Sequence, residues 1–402
     1  MKLFTICSYA AVSLAPLINA YPGMAANMGE FHASAKEARQ DTKQLIGDLK
    51  TLKDSQLTSV GKDIKAILLN QQNALSTVID TGAPAGTPDS AACKADLCCI
   101  WKWISYDMTA RFNGSSGRCT KYARAAVRLG FHDSGAWSTS SSFGGADGSI
   151  LLTDEINRGE NSGLEFIAEQ MKAWYSKYNK YGVSMADLIQ MGANVATVVC
   201  PLGPRVRSFV GRKDNAKAGP TGLLPSPRDS ADSIIKLFAA KTIDPTDLVA
   251  LVGAHTTSQQ HFFDTSRDGD PQDSTPGVWD VAFYGETTTS TPPRIIKFPS
   301  DIALSQDSRT SALWQGMSVQ GRWNSDWSKA YTRLSLLGVN NINDLKECTK
   351  VLPAARTTFV NQDQVLLDRW LQGEFDQLNN MVDDAIMLTG VISGRSANET
   401  ES

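Results

Sequence analysis

The sequence has very little histidine, no internal repeat and little of the alternation that is typical of strands. With four histidines among 402 residues, any chemistry that needs an imidazole must depend on very few positions. The net charge is −3 and no long basic run is present, which argues against a nucleic-acid-binding protein. After the first twenty residues, no apolar run is long enough to cross a bilayer. These features predict a mainly helical protein with a sizeable core.

The first twenty residues have the composition of a secretory signal peptide. Lys2 supplies the positive start, residues 3–17 form an apolar stretch, and Ala20 can precede the cleavage site. Ile18 departs from the pattern, because this position favours a smaller residue. We therefore expect a secreted, extracellular protein, with a buried N-terminal helix as the alternative.

The cysteines agree with export. Cys7 would leave with the signal peptide, and the remaining six are Cys93, Cys98, Cys99, Cys119, Cys200 and Cys348. An even number in an exported chain indicates three disulfides, for which the sequence alone allows fifteen pairings. A zinc site is the weaker alternative, because no paired C-x-x-C and H-x-x-H spacing occurs. Two sequons predict glycosylation at Asn113 and Asn398.

A long segment separates the signal peptide from the first of these cysteines. Between Leu45 and Leu68, apolar residues recur at helical spacing, which predicts one or two amphipathic helices. The run 81–88 is rich in glycine, alanine and proline, and is typical of a linker. We therefore expect a signal peptide at 1–20, a helical extension with a linker at 21–92, and a main domain with a C-terminal tail at 93–402.

Two histidines stand in distinctive settings. Arg128 and His132 are four residues apart, so a helix places them on one face. A histidine can accept and return a proton, and a neighbouring arginine can stabilise negative charge while an O–O bond breaks. The apolar run 248–252 is followed by His255, which a buried helix would present as an axial haem ligand. Taken one at a time, a solvated Arg–His pair and a satisfied core histidine are the simpler interpretations.

Together, the segments resemble the plant, fungal and bacterial haem peroxidase superfamily. Residues 130–133 (GFHD) and 144–149 (GGADGS) are similar to its distal haem side, and residues 253–256 (GAHT) to its proximal side. Residues 273–280 (DSTPGVWD) resemble the secreted fungal, or class II, subgroup, which includes lignin and manganese peroxidases. The resemblance covers roughly residues 93–360. It implies a two-lobed helical fold with one haem b between distal and proximal halves.

On the distal side, the resemblance implies a role for five residues. His132 would be the acid–base catalyst, Arg128 its charge-stabilising partner, and Phe131 would lie over the haem face. Asn161 would orient His132, and the carboxylate of Glu155 would support Asn161.

On the proximal side, the resemblance makes His255 the iron ligand and Asp301 the acceptor of its other N–H. It also implies two structural calcium ions, bound by carboxylate, hydroxyl and carbonyl oxygens. The distal ligands would be Asp133, Gly145, Asp147 and Ser149, and the proximal ones Thr256, Asp273, Thr275, Val278 and Asp280. Oxygen-rich turns without an ion are the alternative for both loops.

The disulfide pairing is likewise implied by the resemblance. The expected pairs are Cys93–Cys99, Cys98–Cys348 and Cys119–Cys200. Ala312 stands where a cysteine of a fourth bridge is often found, and the long extension is absent from the better-known members.

The resemblance implies a peroxidase that reduces hydrogen peroxide to water and oxidises small aromatic donors in one-electron steps. Positions that serve specialised donors differ here. The three carboxylate positions of a manganese site hold Lys121, Ala125 and His261, and the surface tryptophan of lignin peroxidases is replaced by Ala250. Gln272 replaces their proximal aromatic residue. We therefore expect a generic enzyme that oxidises phenolic or other low-potential donors, unless an exposed residue such as Trp101, Trp103, Trp323 or Trp327 provides another route.

Two other classes of function remain open on the sequence. An exported binding or wall-associated module could keep the fold without catalysis, with the extension as a partner-binding helix of unknown partner. A hydrolase could use Ser258 with His255, although no nucleophile-elbow context surrounds that serine.

Overall fold

The structure, a computed structural model, describes residues 44–80, 82, 84 and 86–388. The signal peptide expected at 1–20, His32 and the predicted acceptor Asn398 lie outside the described residues. The described part of the chain is mainly helical, which confirms the predicted fold class. Within these ranges, no helix is both long enough and apolar enough to cross a membrane.

The α-helices of the described ranges are α1 (Ser59–Leu68), α2 (Ala91–Ala95), α3 (Leu97–Phe112), α4 (Lys121–Gly135), α5 (Ser149–Leu152), α6 (Glu165–Tyr178), α7 (Met185–Val199), α8 (Ala231–Ala239), α9 (Pro245–Val252), α10 (Ala282–Glu286), α11 (Pro299–Gln306), α12 (Ser311–Gly316), α13 (Gln320–Leu334), α14 (Gln364–Leu371) and α15 (Asn379–Asp383). In the same ranges, the sheet is limited to β1 (Phe209–Val210) and β2 (Lys346–Glu347). The two strands are antiparallel, with Phe209 opposite Glu347.

Helix α7 is buried along its whole length and forms the centre of the helical body. Helix α4 comes very close to it at Gly130. A Cβ atom there would lie 2.8 Å from Ala193 Cβ and 2.4 Å from the hydroxyl oxygen of Tyr331 in α13. Both distances are too short for a real carbon contact, so glycine is required where α4, α7 and α13 meet. This close packing fixes the helix that carries Arg128 and His132.

Helix α9 determines where His255 lies. Asp244 caps its first turn by accepting a hydrogen bond from the Asp247 N–H at 2.8 Å, and Pro245 occupies the first helical position. The helix is apolar and largely buried, and it continues directly into a 3₁₀ turn at Gly253–Thr257. This turn carries His255 at the end of a rigid, well-packed element.

The described part of the extension, residues 44–80, packs into the same hydrophobic core as the helical body. Asp48 accepts a hydrogen bond from the backbone N–H of Ile342 at 2.8 Å, and Arg333 donates to the Leu68 carbonyl oxygen at 2.7 Å. The apolar face of α1 is buried in this contact, so it is already covered and not free to bind a partner helix. The boundaries expected for the extension stay a prediction.

Disulfides join distant parts of the body. The bonded pairs are Cys93–Cys99, Cys98–Cys348 and Cys119–Cys200, the pairing that the resemblance implies. The second of them connects the start of α3 to the residue after β2, across 250 positions of sequence. Asn113 is exposed at the end of α3, which leaves it accessible to a glycan.

Residues 361–388, here called the C-terminal segment, form a second apolar cluster beside the main core. The buried members of the cluster are Ile295 of the main body and, from the segment, Leu366, Leu367, Trp370, Leu371, Leu378, Val382 and Leu388. Two ion pairs attach the segment to the distal half of the body. Arg118 donates to both carboxylate oxygens of Asp363 at 2.8 and 3.1 Å, and Arg124 of α4 pairs with Asp383 at 2.8 Å. No pattern in the sequence predicts these contacts.

The first prediction concerns the pair Arg118–Asp363, whose side chains are fully buried. We expect Asp363→Ala to lower the free energy of unfolding by about 3–5 kcal/mol, because it leaves a buried guanidinium without its counter-charge. Urea unfolding of the holoprotein measures the change. Asp384→Ala is the matched control, since Asp384 pairs with Lys121 at the surface and its loss should cost about 0–1 kcal/mol. Equal losses in the two variants would contradict the prediction.

Candidate active site

The distal side is organised by a chain of hydrogen bonds that starts at His132. Its Nδ1 lies 2.7 Å from Asn161 Oδ1, and Asn161 Nδ2 donates to the backbone carbonyl oxygen of Glu155 at 2.8 Å. A carbonyl oxygen can only accept, so the Asn161 amide nitrogen must face Glu155 and its oxygen must face the histidine. It follows that His132 Nδ1 carries the proton and that Nε2 is unprotonated and can accept one.

Arg128 lies one helical turn before His132 and points to the same place. Its Nε donates to His132 Nε2 at 3.2 Å, while Nη1 and Nη2 donate to the carbonyl oxygens of Ser162 (2.9 Å) and Glu160 (3.2 Å). Burial, together with the charge of Arg128, lowers the pKa of His132 to about 3. Burial also lowers the pKa of Arg128, to about 10. At neutral pH the site therefore combines a neutral base with a fixed positive charge.

The role expected for the Glu155 carboxylate is wrong in its detail. Asn161 binds the backbone carbonyl of Glu155, whereas the carboxylate accepts hydrogen bonds from the Gly219 N–H (2.6 Å) and the Ser149 hydroxyl (3.2 Å). It also faces Arg158 at 3.6 Å. The carboxylate is turned toward these donors, so it supports the loop around Asn161 instead of the amide itself. Phe131 packs edge-on to the His132 ring, with 5.5 Å between ring centroids.

The residues expected to bind a distal calcium ion lie together next to His132. Asp133 Oδ2 accepts from the Gly148 N–H at 3.2 Å, and Asp147 Oδ1 accepts from the Ser149 N–H at 3.1 Å. Asp133 Oδ1 is buried without a hydrogen-bond partner among the described residues. Burial, and then the charge of Asp147, raise the pKa of Asp133 well above its ordinary value. An oxygen-lined site with an unsatisfied carboxylate fits a hard cation such as Ca²⁺.

The backbone at Gly145 follows the same loop and tolerates no side chain. Its φ of +106° lies in the region that favours glycine, and a Cβ would lie 2.2 Å from the Leu337 carbonyl oxygen. The glycine therefore lets this loop pack directly against the backbone at Leu337, just after the end of α13.

The proximal side is built around His255. Its Nδ1 lies 3.0 Å from Asp301 Oδ2, and the ring packs edge-on against Phe283 and Phe298, at centroid distances of 5.6 and 5.7 Å. Because a carboxylate accepts the hydrogen bond, Nδ1 carries a proton, and Nε2 is the ring nitrogen available to a metal. An imidazole that is fixed in this way, with apolar rings around it, fits an axial haem ligand.

The expected proximal calcium ligands form a second buried cluster of oxygens. The Thr256 hydroxyl donates to Asp273 Oδ2 at 2.5 Å, and the Thr275 hydroxyl lies 3.1 Å from both Asp273 Oδ1 and Asp280 Oδ1. Burial, and then the charge of Asp280, raise the pKa of Asp273 well above its ordinary value. Burial raises the pKa of Asp280 to about 6. The Val278 N–H donates to the Thr275 carbonyl oxygen, which closes the loop, and the cluster again suits a hard cation.

Gln272 was noted in the sequence only because it replaces an aromatic residue. In the structure it is buried, and its Nε2 donates to Asp301 Oδ2 at 3.0 Å. The Ser258 hydroxyl in turn donates to the Gln272 amide oxygen. This serine is therefore directed at Gln272 instead of the imidazole, which removes the geometric basis for a hydrolase built on Ser258 and His255. No sequence signal could have revealed the pairing, since the partners are brought together by the fold.

The rim between α4 and the loop after His255 is covered by the C-terminal segment. His261 hydrogen-bonds Asp268 at 2.7 Å and lies 3.7 Å from Asp383, and Lys121 lies 3.6 Å from the same carboxylate. Arg124 completes the contacts of Asp383. The carboxylates of Asp268 and Asp383 therefore lie beside two of the positions at which a manganese site would have its own carboxylates, Lys121 and His261. Positive side chains surround Asp383, however.

The tryptophans considered as exposed electron routes are mostly interior. Trp101, Trp323 and Trp327 are buried in the core, and Trp103 is half-buried. Ala250, which stands in place of a surface tryptophan, is itself completely buried. The idea of an exposed route through Trp101, Trp323 or Trp327 is therefore wrong, because all three side chains are buried.

Comparison with known proteins agrees with the geometry. Residues 106–320 match the family described as Peroxidase. The chain is 30% identical to a peroxidase of Arthromyces ramosus over 299 residues, and this alignment covers 68% of the chain and 81% of the relative. The chain belongs to the peroxidase family. Two further relatives are ligninase LG5 of Phanerodontia chrysosporium, 33% identical over 288 residues (65% of this chain, 76% of the relative), and ligninase C of Trametes versicolor, 33% identical over 285 residues (64% and 75%).

These relatives make the chain a fungal class II haem peroxidase, an oxidoreductase that uses hydrogen peroxide. His132 and Arg128 both fall inside the matched family region, as do His255 and Asp301. The peroxidase therefore has a neutral base beside a cation on one half and a carboxylate-bound imidazole on the other.

The second prediction follows from the distal geometry. We expect His132→Leu to retain haem, because His255 is untouched, and to react with peroxide about 10²–10⁴-fold more slowly, since a positioned proton acceptor is lost. Stopped-flow absorbance of the holoenzyme after mixing with peroxide measures the rate. His261→Leu serves as the control, because its imidazole lies at the rim and should leave this rate unchanged. An unaffected rate in His132→Leu would show that another group accepts the proton.

Proposed function

We propose that this peroxidase is secreted and reduces hydrogen peroxide to water while it oxidises phenolic or other low-potential aromatic donors in one-electron steps. The observation that carries the proposal is the chain His132–Asn161–Glu155 carbonyl, which leaves a neutral, unprotonated Nε2 beside the Arg128 guanidinium. A base and a cation in this arrangement suit O–O bond cleavage.

The cofactors proposed are one haem b and two calcium ions. His255 would hold the haem iron through Nε2, with Asp301 polarising the ring from Nδ1. Bound haem supplies the iron that takes up the peroxide and the store for two oxidising equivalents. Asp133, Asp147 and Ser149 with the Gly145 carbonyl would bind the distal calcium ion. The proximal ion would be bound by Thr256, Asp273, Thr275, Val278 and Asp280.

The chain's own residues move the proton. His132 Nε2 takes the proton from one peroxide oxygen and returns it to the other, which leaves as water. Arg128 gives up its hydrogen bond to His132 and donates to the oxygen on which negative charge develops. Asn161 keeps the proton on Nδ1 throughout, so that the transferred proton arrives at and leaves from Nε2 alone. With two protons from solvent and one electron from each of two donors, one peroxide yields two waters.

Secretion is supported by several independent features of the chain. The first twenty residues have the pattern of a signal peptide, and the three disulfides are of the kind that persists outside the cell. Asn113 is exposed in its sequon, and we propose it as a glycan acceptor. We keep the division into a signal peptide (1–20), an extension (21–92) and a peroxidase domain (93–402) as part of this proposal.

The third prediction concerns donors and is the test of the proposed function. We expect purified holoenzyme to oxidise phenols efficiently and with saturation, and to show little direct oxidation of manganese or of veratryl alcohol. At the rim, the positive charges of Lys121 and Arg124 disfavour the binding of a manganese ion, and the Asp383 carboxylate is already paired with them. Steady-state assays at matched peroxide, with a manganese-oxidising fungal enzyme as positive control, measure this. Efficient, saturable manganese oxidation would overturn the donor assignment, and no peroxide-dependent turnover with any donor would overturn the function.

The fourth prediction concerns calcium. We expect elemental analysis to find two calcium ions per chain, and prolonged chelation to lower activity and broaden the haem absorption band. The reason is that Asp133 follows His132 and Thr256 follows His255, so each ion would fix one histidine. Restoring calcium, but not adding magnesium, should recover the activity. A fully active, calcium-free holoenzyme would contradict both sites.

A further inference from the structure

Asp301 serves two donors with one oxygen atom. His255 Nδ1 and Gln272 Nε2 both lie 3.0 Å from Asp301 Oδ2. The other oxygen, Oδ1, has a longer contact, 3.4 Å from the Ser300 hydroxyl. Asp301 and Gln272 are both almost fully buried, so solvent does not compete for these bonds. The strength with which Asp301 can attract the His255 proton therefore depends on what Gln272 does.

The orientation of the Gln272 amide is fixed by its neighbours. An ionised carboxylate can only accept, so the amide NH₂ must face Asp301. The amide oxygen then accepts the hydrogen bond from Ser258, a residue three positions after His255. Hydrogen bonds thus link four side chains in the order His255, Asp301, Gln272 and Ser258. The backbone N–H of Ser258 closes the ring by donating to the His255 carbonyl oxygen at 3.0 Å. A ring of this kind leaves the amide little freedom to rotate away.

We propose that Gln272 is a positioning residue that limits how strongly Asp301 polarises the proximal imidazole. A hydrogen bond from Gln272 withdraws negative charge from Oδ2, so the same oxygen attracts the Nδ1 proton of His255 less strongly. The imidazole is then less electron-rich than it would be beside an unshared carboxylate. A less electron-rich ligand stabilises ferric iron less, so the ferric/ferrous reduction potential is less negative. The inference rests on the proposed function, in that His255 is taken as the iron ligand.

Gln272 thus has a chemical effect at a position where the sequence shows only that an aromatic ring is missing. Gln272 also directly precedes Asp273 of the proximal oxygen cluster, so its backbone is held by the loop that would bind calcium. Two neighbouring residues therefore act on the turn of His255. Asp273 accepts the hydrogen bond from Thr256, which follows His255, and Gln272 donates to Asp301, the acceptor of the His255 N–H.

The fifth prediction tests the proposal in holoenzyme. We expect Gln272→Leu to shift the ferric/ferrous midpoint potential to a more negative value, and to raise the iron–histidine stretching frequency of the ferrous form, because Asp301 is released to His255 alone. Spectroelectrochemical titration and resonance Raman spectroscopy measure the two effects. Gln272→Met is a second variant, with a side chain of similar length and no N–H donor, and should shift both quantities in the same direction.

The matched control is Gln260→Leu. Gln260 is a buried glutamine of the neighbouring loop, and its amide nitrogen binds the carbonyl oxygens of Asp264 and Arg267 instead of Asp301. Its substitution should leave the potential and the stretching frequency unchanged. In an Asp301→Asn background, Gln272→Leu should lose most of its effect, because it acts through the carboxylate.

The outcomes separate the proposal from the proposed function. Unchanged potentials in both Gln272→Leu and Gln272→Met, or an equal shift in Gln260→Leu, would overturn the role of Gln272 while leaving the peroxidase assignment intact. A full effect of Gln272→Leu in the Asp301→Asn background would also overturn it, since the route would not be through Asp301. His255→Ala with an unchanged haem spectrum would instead overturn the iron ligand, and with it the proposed function.

Discussion

Each of the two histidines is held in a single tautomer by a group that can only accept a hydrogen bond, and the rest of the site depends on this constraint. His132 Nδ1 faces an amide oxygen whose orientation is set by the Glu155 carbonyl, and His255 Nδ1 faces the Asp301 carboxylate. In both cases Nδ1 is engaged as the donor, so Nε2 is the atom through which one imidazole can accept a proton and the other can bind iron. The two rings are held in the same way for different chemistry because the charged groups in contact with them differ: the Arg128 guanidinium at Nε2 of His132 and the Asp301 carboxylate at Nδ1 of His255.

His132 and His255 stay in these positions because the elements that carry them are rigid. Helix α4 is pressed against α7 and α13 at Gly130, and the turn that carries His255 continues a capped, buried helix. Beside each histidine, a loop rich in oxygen atoms collects carboxylates that have lost their contact with water. The burial of these carboxylates, above all Asp133 and Asp273, is unfavourable without a counter-charge and becomes favourable with a bound cation. The fold therefore places acidic groups at the positions where an ion would hold a functional residue.

The sequence predicts the parts of this arrangement that are encoded in contiguous residues. Residues such as Arg128 and His132 share a helix face by spacing alone, and the helical fold class and the peroxidase family are confirmed. Contacts between distant segments could not be predicted in the same way. The atom of Glu155 that binds Asn161, the bond from Gln272 to Asp301 and the packing of residues 44–80 depend on how separate elements meet. Neither a motif nor a hydrophobic period records them, because each is a property of two or three segments together.

The attachment of the C-terminal segment has a consequence for the order of events during synthesis. Asp363 and Asp383 leave the ribosome long after the arginines that they pair with, at sequence separations of 245 residues for Arg118 and 259 for Arg124. Before residues 363 and 383 have been made, neither guanidinium group has its carboxylate partner. The two ion pairs that attach the C-terminal segment are therefore contacts that can form only late in the synthesis of the described chain.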